Sequence, residues 1–374
     1  MKICSVRLWR LTPPRDTWII AELKTDSGLT GWGELTNSGH DEGAAAIFSQ
    51  SARLLVGKDP LRINEHLAHY RDFTMPPRID KILVVAWSGV AQALWDIKAK
   101  VYDLPLYKLL GADGEVSVPL YANLNRGLWN DRSPAGHAKH AEAALKAGFA
   151  AAKCAPLDDI TPTVLDPLRL TPAMERMRAA VNSVGASNVA IDCHQRLASP
   201  MAHQLLEQLT KLGTLFWVED PFTPEHMDKF ALLHATYPGV TWAGGEETFS
   251  LNGALKFLST PHRPDVFMPD VKFICGLDHL LAMCFAAQAL GCRVSPHNPQ
   301  GPVSQAFAAH VAAACSSTLV EYPFLAVPTR EHLTDPIEPV ENGRYVLGDR
   351  LGIGIELTKD CLEKYGSLLC DISE

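Results

Sequence analysis

The amino-acid sequence predicts an α/β protein built on a (β/α) barrel, with a smaller companion region. Three observations support this fold class. Polar residues follow apolar, strand-like runs at intervals of 24 or 27 positions, counted from Asp192 to Glu321. Each interval accommodates one strand, one helix and two loops. Matched helix start and stop signals recur in the same region, and 374 residues are enough for a barrel of roughly 250 residues plus a second domain.

The N-terminal region begins with alternating, strand-like segments at residues 2–11, 17–25 and 29–34, which predict an antiparallel meander. Residues 84–102 carry an apolar stripe with spacings of 4, 3 and 4, as one face of a helix requires. The stripe consists of Val90, Leu94, Ile97 and Val101. These residues are interpreted as core packing positions.

From about residue 116 the pattern changes to repeated strand–helix units. Four helices are predicted to begin at a Ser-Pro or Thr-Pro pair and to stop at a glycine. The pairs are Ser133-Pro134, Thr171-Pro172, Ser199-Pro200 and Thr223-Pro224, and the glycines are Gly148, Gly185, Gly213 and Gly239. We place the barrel at residues 115–335 and the companion domain at residues 1–112, completed by the tail at 339–374. A doubly wound sheet, the competing class, needs a glycine-rich phosphate loop after an early strand, and the sequence has none.

Composition narrows the classes of function. The formal charge of −8 and the lack of a basic stripe argue against a nucleic-acid partner or an anionic membrane. No apolar run approaches the ~18 residues of a spanning helix, and the N-terminus lacks a signal-peptide pattern. Nine scattered cysteines without a CxxC pair fit reduced thiols. We therefore expect a cytoplasmic protein without a nucleic-acid or membrane partner.

Three carboxylates are predicted to bind a metal ion. Asp192, Glu219 and Glu246 each follow an apolar run, and strand ends of a parallel barrel converge on one mouth. A hard cation such as Mg²⁺ prefers a few oxygen ligands and keeps positions for water and substrate. Glu246 is preferred as the third ligand because it directly follows Gly244-Gly245, and Glu247 remains the alternative.

Two histidines are candidates for acid–base chemistry. His297 follows the next strand after Asp270, and a carboxylate bonded to imidazole would fix its tautomer and raise its basicity. The alternative is that His297 only caps the following helix. His194 lies two positions after Asp192, so both side chains point to the same side of the strand. It could protonate a departing hydroxyl, or it could simply hydrogen-bond its acidic neighbour.

Together these residues resemble the enolase superfamily, in its mandelate racemase subgroup. The resemblance spans nearly the whole chain. It is carried by the three carboxylates together with Gly31-Trp32-Gly33-Glu34, Ala93-Leu94-Trp95-Asp96-Ile97, Leu109-Leu110-Gly111 and Pro296-His297-Asn298-Pro299-Gln300-Gly301-Pro302. It implies a modified TIM (β/α) barrel with an α+β capping domain, a Mg²⁺ ion, and proton abstraction next to a carboxylate.

The resemblance also assigns finer roles. Asp-x-His at residues 192–194 is similar to acid-sugar dehydratases, the galactonate dehydratases especially, which implies that His194 is the general acid. Racemases of the subgroup have Lys-x-Lys on the second strand, whereas this chain has Lys153-Cys154-Ala155. Lys153 is expected to hold the substrate carboxylate or to pair with a metal ligand. Glu321 resembles the hydrogen-bond donor to the substrate carboxylate, or is an ordinary ionised acid.

The predicted function is a Mg²⁺-dependent hydro-lyase that dehydrates a sugar acid to a 2-keto-3-deoxy acid. A small-molecule acid-sugar partner and a homo-oligomeric state are further expectations. An epimerase, racemase or cycloisomerase of a related carboxylate is the first alternative. A catalytically silent member that binds a sugar acid or another protein is the second. The Asp270–His297 pair argues against the silent alternative, because a binding protein has no use for a base.

Overall fold

The computed structural model describes residues 1–74, 80–114, 116–223, 226–317 and 319–374. The N-terminal part forms a meander followed by helices. Its elements are β1 (Ile3–Leu11), β2 (Trp18–Thr25), β3 (Thr30–Glu34), α1 (Asp41–Leu55), α2 (Ile63–Thr74), α3 (Lys81–Val101) and α4 (Leu106–Leu109). The sheet buries one face against α1 and α3, and this produces a core of its own around Phe48, Trp87 and Leu94.

Among the described residues, eight mostly buried parallel strands of two to eight residues follow. They are β4 (Val116–Asn123), β5 (Ala152–Cys154), β6 (Val189–Asp192), β7 (Val218–Glu219), β8 (Trp242–Gly244), β9 (Val266–Phe267), β10 (Arg293–Val294) and β11 (Val320–Pro323). Consecutive strands pair in parallel from β4 to β10, and β11 pairs in parallel with β4. The amide of Glu321 donates to the carbonyl of Pro296 at 3.3 Å and links β11 to the segment after β10. The predicted barrel is therefore confirmed.

In the described part of the chain, seven helices connect these strands on the outside. They are α5 (Pro134–Lys146), α6 (Thr171–Val184), α7 (Ser199–Leu209), α8 (Met227–Thr236), α9 (Leu251–Leu258), α10 (Leu277–Ala289) and α11 (Pro302–Ala314). Ser133 caps α5 by accepting from the amide of Gly136, as its sequence predicts. Thr171 and Ser199 instead lie inside the first turn of their helices. Pro224 is outside the described residues, and α8 ends at Thr236, before Gly239.

The C-terminal segment returns to the N-terminal sheet. Its elements are β12 (Thr334–Asp335), β13 (Val340–Glu341), β14 (Arg344–Leu347), β15 (Glu356–Leu357), α12 (Lys359–Tyr365) and β16 (Gly366–Ser373). Strand β14 pairs antiparallel with the start of β4, and β16 pairs antiparallel with β1. The sheet order β16-β1-β2-β3 thus joins both ends of the chain in one layer.

Helix α3 connects the N-terminal part to the barrel mouth. It is long and apolar enough to cross a membrane by composition, but 78% of that apolar window is buried inside the protein. The hydroxyl of Ser88 donates to the carbonyl of Val271 at 2.6 Å. The carboxylate of Glu34, at the end of β3, accepts from the amides of Gly301 and Ser304 at 2.9 Å each. The cap and the barrel are therefore hydrogen-bonded beside the strand ends.

Candidate active site

The predicted site residues lie together at the carboxyl ends of the barrel strands. Asp192 and Glu219 end β6 and β7, and they face each other in the parallel ladder. Lys153 is on β5 and Glu321 is on β11, and all four side chains are buried. Below them, inward-facing apolar side chains such as Tyr121, Trp217 and Met268 fill the barrel interior. The polar groups therefore lie above an apolar floor.

Lys153 is surrounded by carboxylates and has no solvent exposure. Its Nζ lies 2.6 Å from Glu219 Oε1, 2.8 Å from Glu321 Oε1 and 3.4 Å from Asp192 Oδ2. Burial lowers the pKa of Lys153, but the carboxylates outweigh burial and hold the pKa well above its usual value. The charge of Lys153 is thus paired with carboxylates of the protein itself, and its role toward the substrate stays a prediction.

The carboxylates crowd one another in spite of this lysine. Burial raises the pKa of Glu219 to about 8, Lys153 opposes that rise, and Asp192 adds to it. The Oδ2 atom of Asp192 is buried without a hydrogen bond, although His194 Nε2 lies 2.9 Å away. Trp217 Nε1 donates to Glu219 Oε2 at 2.9 Å. The concentration of negative charge makes this the part of the described chain that would gain most from a cation.

The donor set fits a hard divalent cation. Asp192, Glu219 and Glu246 offer carboxylate oxygens. The buried Asp192 Oδ2 accepts no hydrogen bond from the described residues, although His194 Nε2 and Lys153 Nζ lie 2.9 and 3.4 Å away. Within the described ranges, no three acidic, histidine or cysteine side chains are already gathered around one point. Basic side chains contact all three carboxylates instead: Lys153 and His194 lie beside Asp192, Lys153 contacts Glu219, and His297 contacts Glu246. Binding a cation would therefore require these carboxylates to exchange partners.

Glu246 and Glu247 diverge after β8. Gly245, with a φ of +105°, turns the backbone so that Glu246 Oε2 lies 2.8 Å from His297 Nε2. Glu247 instead forms an ion pair with Lys81 on α3, at 2.6 Å. The geometry therefore places Glu246 in the site and uses Glu247 to hold the cap.

His297 and Asp270 form a buried pair, and Lys272 completes it. His297 Nδ1 lies 2.8 Å from Asp270 Oδ2, and Lys272 Nζ lies 2.9 and 2.8 Å from the two Asp270 oxygens. Burial raises the pKa of Asp270, but Lys272 and His297 outweigh burial and lower it to about 2. Burial lowers the pKa of His297, yet Glu246 and Glu321 hold it well above its usual value. Neutral His297 would be a strong proton acceptor in this surrounding.

Glu321 accepts hydrogen bonds from three directions. Asn123 Nδ2 donates to Oε1 at 2.7 Å, the amide of Asn298 donates to Oε2 at 3.0 Å, and Lys153 contacts Oε1. His297 Nε2 is 3.5 Å from Oε2. Glu321 thus accepts hydrogen bonds in all of these contacts, and its donor role toward a substrate carboxylate stays a prediction.

His194 lies at the edge of the site, and its side chain is 41% exposed. Its backbone is left-handed, with a φ of +47°, and its amide donates to Asp192 Oδ1 at 2.8 Å. The Asp192 carboxylate raises the pKa of His194, and burial opposes that rise. A protonated imidazole that reaches solvent is placed to deliver a proton.

Asp220 is a site residue whose role the sequence does not predict. Its Oδ1 accepts from the amide of Gly245 at 3.3 Å, and its carbonyl accepts from the amide of Gln195 at 2.7 Å. A Cβ added at Gly244 would lie 2.1 Å from Asp220 Oδ1. Asp220 thus joins the turns that carry His194 and Glu246. The Gly244-Gly245 pair is the sequence signal that could have indicated this close approach.

Comparisons with known proteins agree with this arrangement. Residues 5–111 match the mandelate racemase / muconate lactonizing enzyme N-terminal domain, and residues 136–361 match the enolase C-terminal domain-like family. The chain belongs to the enolase superfamily. The second match alone covers more than half of the sequence, and the predicted fold of barrel and cap is the fold of this family.

Two similar proteins of known name are D-galactonate dehydratases. The chain is 30% identical over 319 residues to D-galactonate dehydratase of Ralstonia pickettii, covering 83% of this chain and 78% of that protein. It is 27% identical over 379 residues to D-galactonate dehydratase of Xanthomonas campestris pv. campestris, covering 97% and 94%. An enolase-superfamily member from Salmonella Typhimurium, 23% identical, superposes over both whole chains with a TM-score of 0.88. The prediction of an enolase-superfamily hydro-lyase is confirmed.

Proposed function

We propose that this enolase-superfamily member is a Mg²⁺-dependent dehydratase of a sugar acid, producing a 2-keto-3-deoxy acid. The observation that carries the proposal is an acid and a base beside one group of carboxylates. His297 lies 2.8 Å from Glu246, and His194 lies 2.9 Å from Asp192. The base is backed by Asp270, as proton abstraction requires. The D-galactonate dehydratase relatives favour a sugar acid as the substrate.

The proposed reaction uses these two histidines in sequence. Neutral His297 Nε2 takes the proton from the carbon next to the substrate carboxylate. Protonated His194 Nε2 gives its proton to the hydroxyl on the next carbon, which leaves as water. The resulting enol tautomerises to the 2-keto acid, so the overall change is loss of one water molecule. Asp192, Glu219 and Glu246 would hold Mg²⁺, which stabilises negative charge developing on the carboxylate when bound.

The absence of a second lysine favours elimination over racemisation. Cys154 and Ala155 follow Lys153, and Lys153 itself is committed to three carboxylates. A two-base racemase therefore lacks one base on that side, whereas elimination needs only the base and acid already described. A cytoplasmic location and a homo-oligomeric state stay predictions, as does the lack of a nucleic-acid or membrane partner.

Replacing His194 tests the proposal most directly. We expect His194→Asn to lower dehydration by ~10²–10⁴-fold, while His297 still exchanges the α-proton of recovered substrate with solvent deuterium. His297→Asn should abolish exchange and elimination together. The measurement combines a 2-keto-acid assay with NMR detection of deuterium. Full turnover by His194→Asn at saturating Mg²⁺ would show that His194 only supports Asp192.

A panel of sugar acids, assayed with and without Mg²⁺, separates the alternatives. Keto-acid formation that EDTA abolishes supports the dehydratase. Inversion or deuterium exchange without keto acid would indicate an epimerase. Activity that survives complete removal of divalent metal would exclude the proposed role of the three carboxylates.

A further inference from the structure

A cavity of about 190 Å³ opens beside the proposed acid, His194. Asp192 and His194 form its inner wall, so it is continuous with the candidate active site. The outer wall comes from the loops after β4, β5 and β6. Its polar side chains are Asn125, Arg132, Asp158 and Arg196. The volume admits a few carbon atoms of a substrate whose reacting end lies at Asp192 and Glu219.

The outer wall has a surplus of positive charge. Arg132 holds both oxygens of Asp158, at 2.8 Å from Nε and 2.6 Å from Nη2. Arg176, behind the wall, contacts Asp158 Oδ2 at 2.9 Å. Arg196 Nη1 donates to the carbonyls of Leu157 and Asp158, at 3.1 and 2.9 Å. The outer wall therefore carries two guanidinium groups, Arg132 and Arg196, and one carboxylate, Asp158, which Arg132 and Arg176 already hold.

The wall also presents donors without acceptors. Arg196 uses only Nη1, so in the described part of the chain its Nε and Nη2 make no hydrogen bond. Asn125 uses its Oδ1 to accept from the amide of Ala155 at 2.7 Å, and its Nδ2 has no acceptor among the described residues. Arg196 and Asn125 are each half-buried. A ligand group that fits here must accept hydrogen bonds and tolerate, or supply, negative charge.

We infer that this cavity binds a second carboxylate, and that the substrate is an aldaric acid, a sugar acid with a carboxylate at each end. The inference rests on the proposed dehydratase function. A carboxylate accepts two parallel hydrogen bonds from a guanidinium fork, whereas a terminal hydroxymethyl group offers one oxygen and no charge. The second carboxylate would also balance the surplus of arginines. The aldonic acid named for the relatives lacks this group.

The test compares matched acids that differ only at the far end: galactarate with D-galactonate, and glucarate with gluconate. We expect wild-type kcat/KM for one diacid to exceed that of its monoacid by roughly ten- to hundredfold, the range of hydrogen bonds to a charged group. Arg196→Gln should reduce this preference by at least about tenfold. Arg176→Gln is the control, because Arg176 binds the same Asp158 from outside the cavity and should leave the preference unchanged.

The outcomes separate this inference from the function on which it rests. Equal or better turnover of the monoacids by the wild type would overturn the diacid subsite and leave the dehydratase intact. If no acid is dehydrated, calorimetric binding to the wild type with Mg²⁺ still decides the subsite. Tighter binding of a diacid, lost in Arg196→Gln, would support it, and equal binding of both partners in each pair would refute it.

Discussion

Lys272 offers the sharpest test of how the base is held. Lys272 and Asp270 have no side-chain exposure, and the ammonium contacts both carboxylate oxygens and Asn298 Oδ1 at 3.2 Å. Lys272→Met keeps much of the volume but leaves the Asp270 charge buried without its lysine. Removing one partner of a buried pair typically costs about 3–5 kcal/mol of unfolding free energy.

The pKa of Asp270 gives a second estimate, which covers the combined effect of Lys272 and His297 on this carboxyl. A carboxyl lowered from an unfolded value near 3.9 to about 2 contributes about 2.5 kcal/mol above pH 4. We therefore expect Lys272→Met to lose about 2–5 kcal/mol near neutral pH, measured by urea unfolding. Lys211→Met is the control, because its ion pair with Glu207 is exposed and contributes about 0.3–0.5 kcal/mol. An equal loss in both variants would refute the reasoning.

The pH dependence of the unfolding free energy tests the same contact between Lys272 and Asp270. Because folding lowers the pKa of Asp270, its stabilisation is complete above pH ~4 and is lost as the pH falls toward about 2. Without Lys272, burial should raise that pKa, so Lys272→Met should lose stability at a higher pH than the wild type. The double variant with Asp270→Asn should recover most of the loss, since no unpaired charge remains.

Two further variants test the contacts that hold the site loops. Glu34→Gln should lower the free energy of unfolding by about 1–3 kcal/mol, measured with urea, because a side-chain amide has only one oxygen to accept from Gly301 and Ser304. Unchanged stability would contradict this role of Glu34. Asp220→Ala should weaken Mg²⁺ affinity by about 10–100-fold, measured by calorimetry, because the Gly245 amide loses its acceptor. Asp220→Asn should keep most of the Mg²⁺ affinity, because its amide oxygen can still accept. An equal loss in both variants would show that the charge of Asp220 matters rather than the hydrogen bond.

Much of the fold is predictable from local patterns. Apolar runs that end at a polar residue predict β6 to β10 because a buried parallel strand needs continuous apolar sequence. Ser133 predicts a helix start because its side chain caps the next turn. At Thr171 and Ser199 the predicted position of the helix cap is wrong by one residue, since a hydroxyl residue before proline also fits the first turn itself.

The partners of the site side chains are not predictable in this way. The choice of Glu246 over Glu247 depends on the left-handed turn at Gly245 and on Lys81, which lies 166 positions away on the cap. Lys153 meets Glu321 only because β11 and β5 flank the same strand, β4. Such contacts arise from barrel closure and domain packing, so no local window of sequence contains them.

The charges of the site explain why these distant contacts exist. Barrel closure brings acids from separate strands into one buried volume, and each would destabilise the fold if left alone. Lys153 compensates the acids on β6, β7 and β11, while Lys272 compensates Asp270 on the opposite side. Two separate lysines allow a cation to change the contacts of the first group while the second remains in place. His297 therefore keeps its Nδ1 contact with Asp270 when Glu246, now 2.8 Å from its Nε2, turns to a cation.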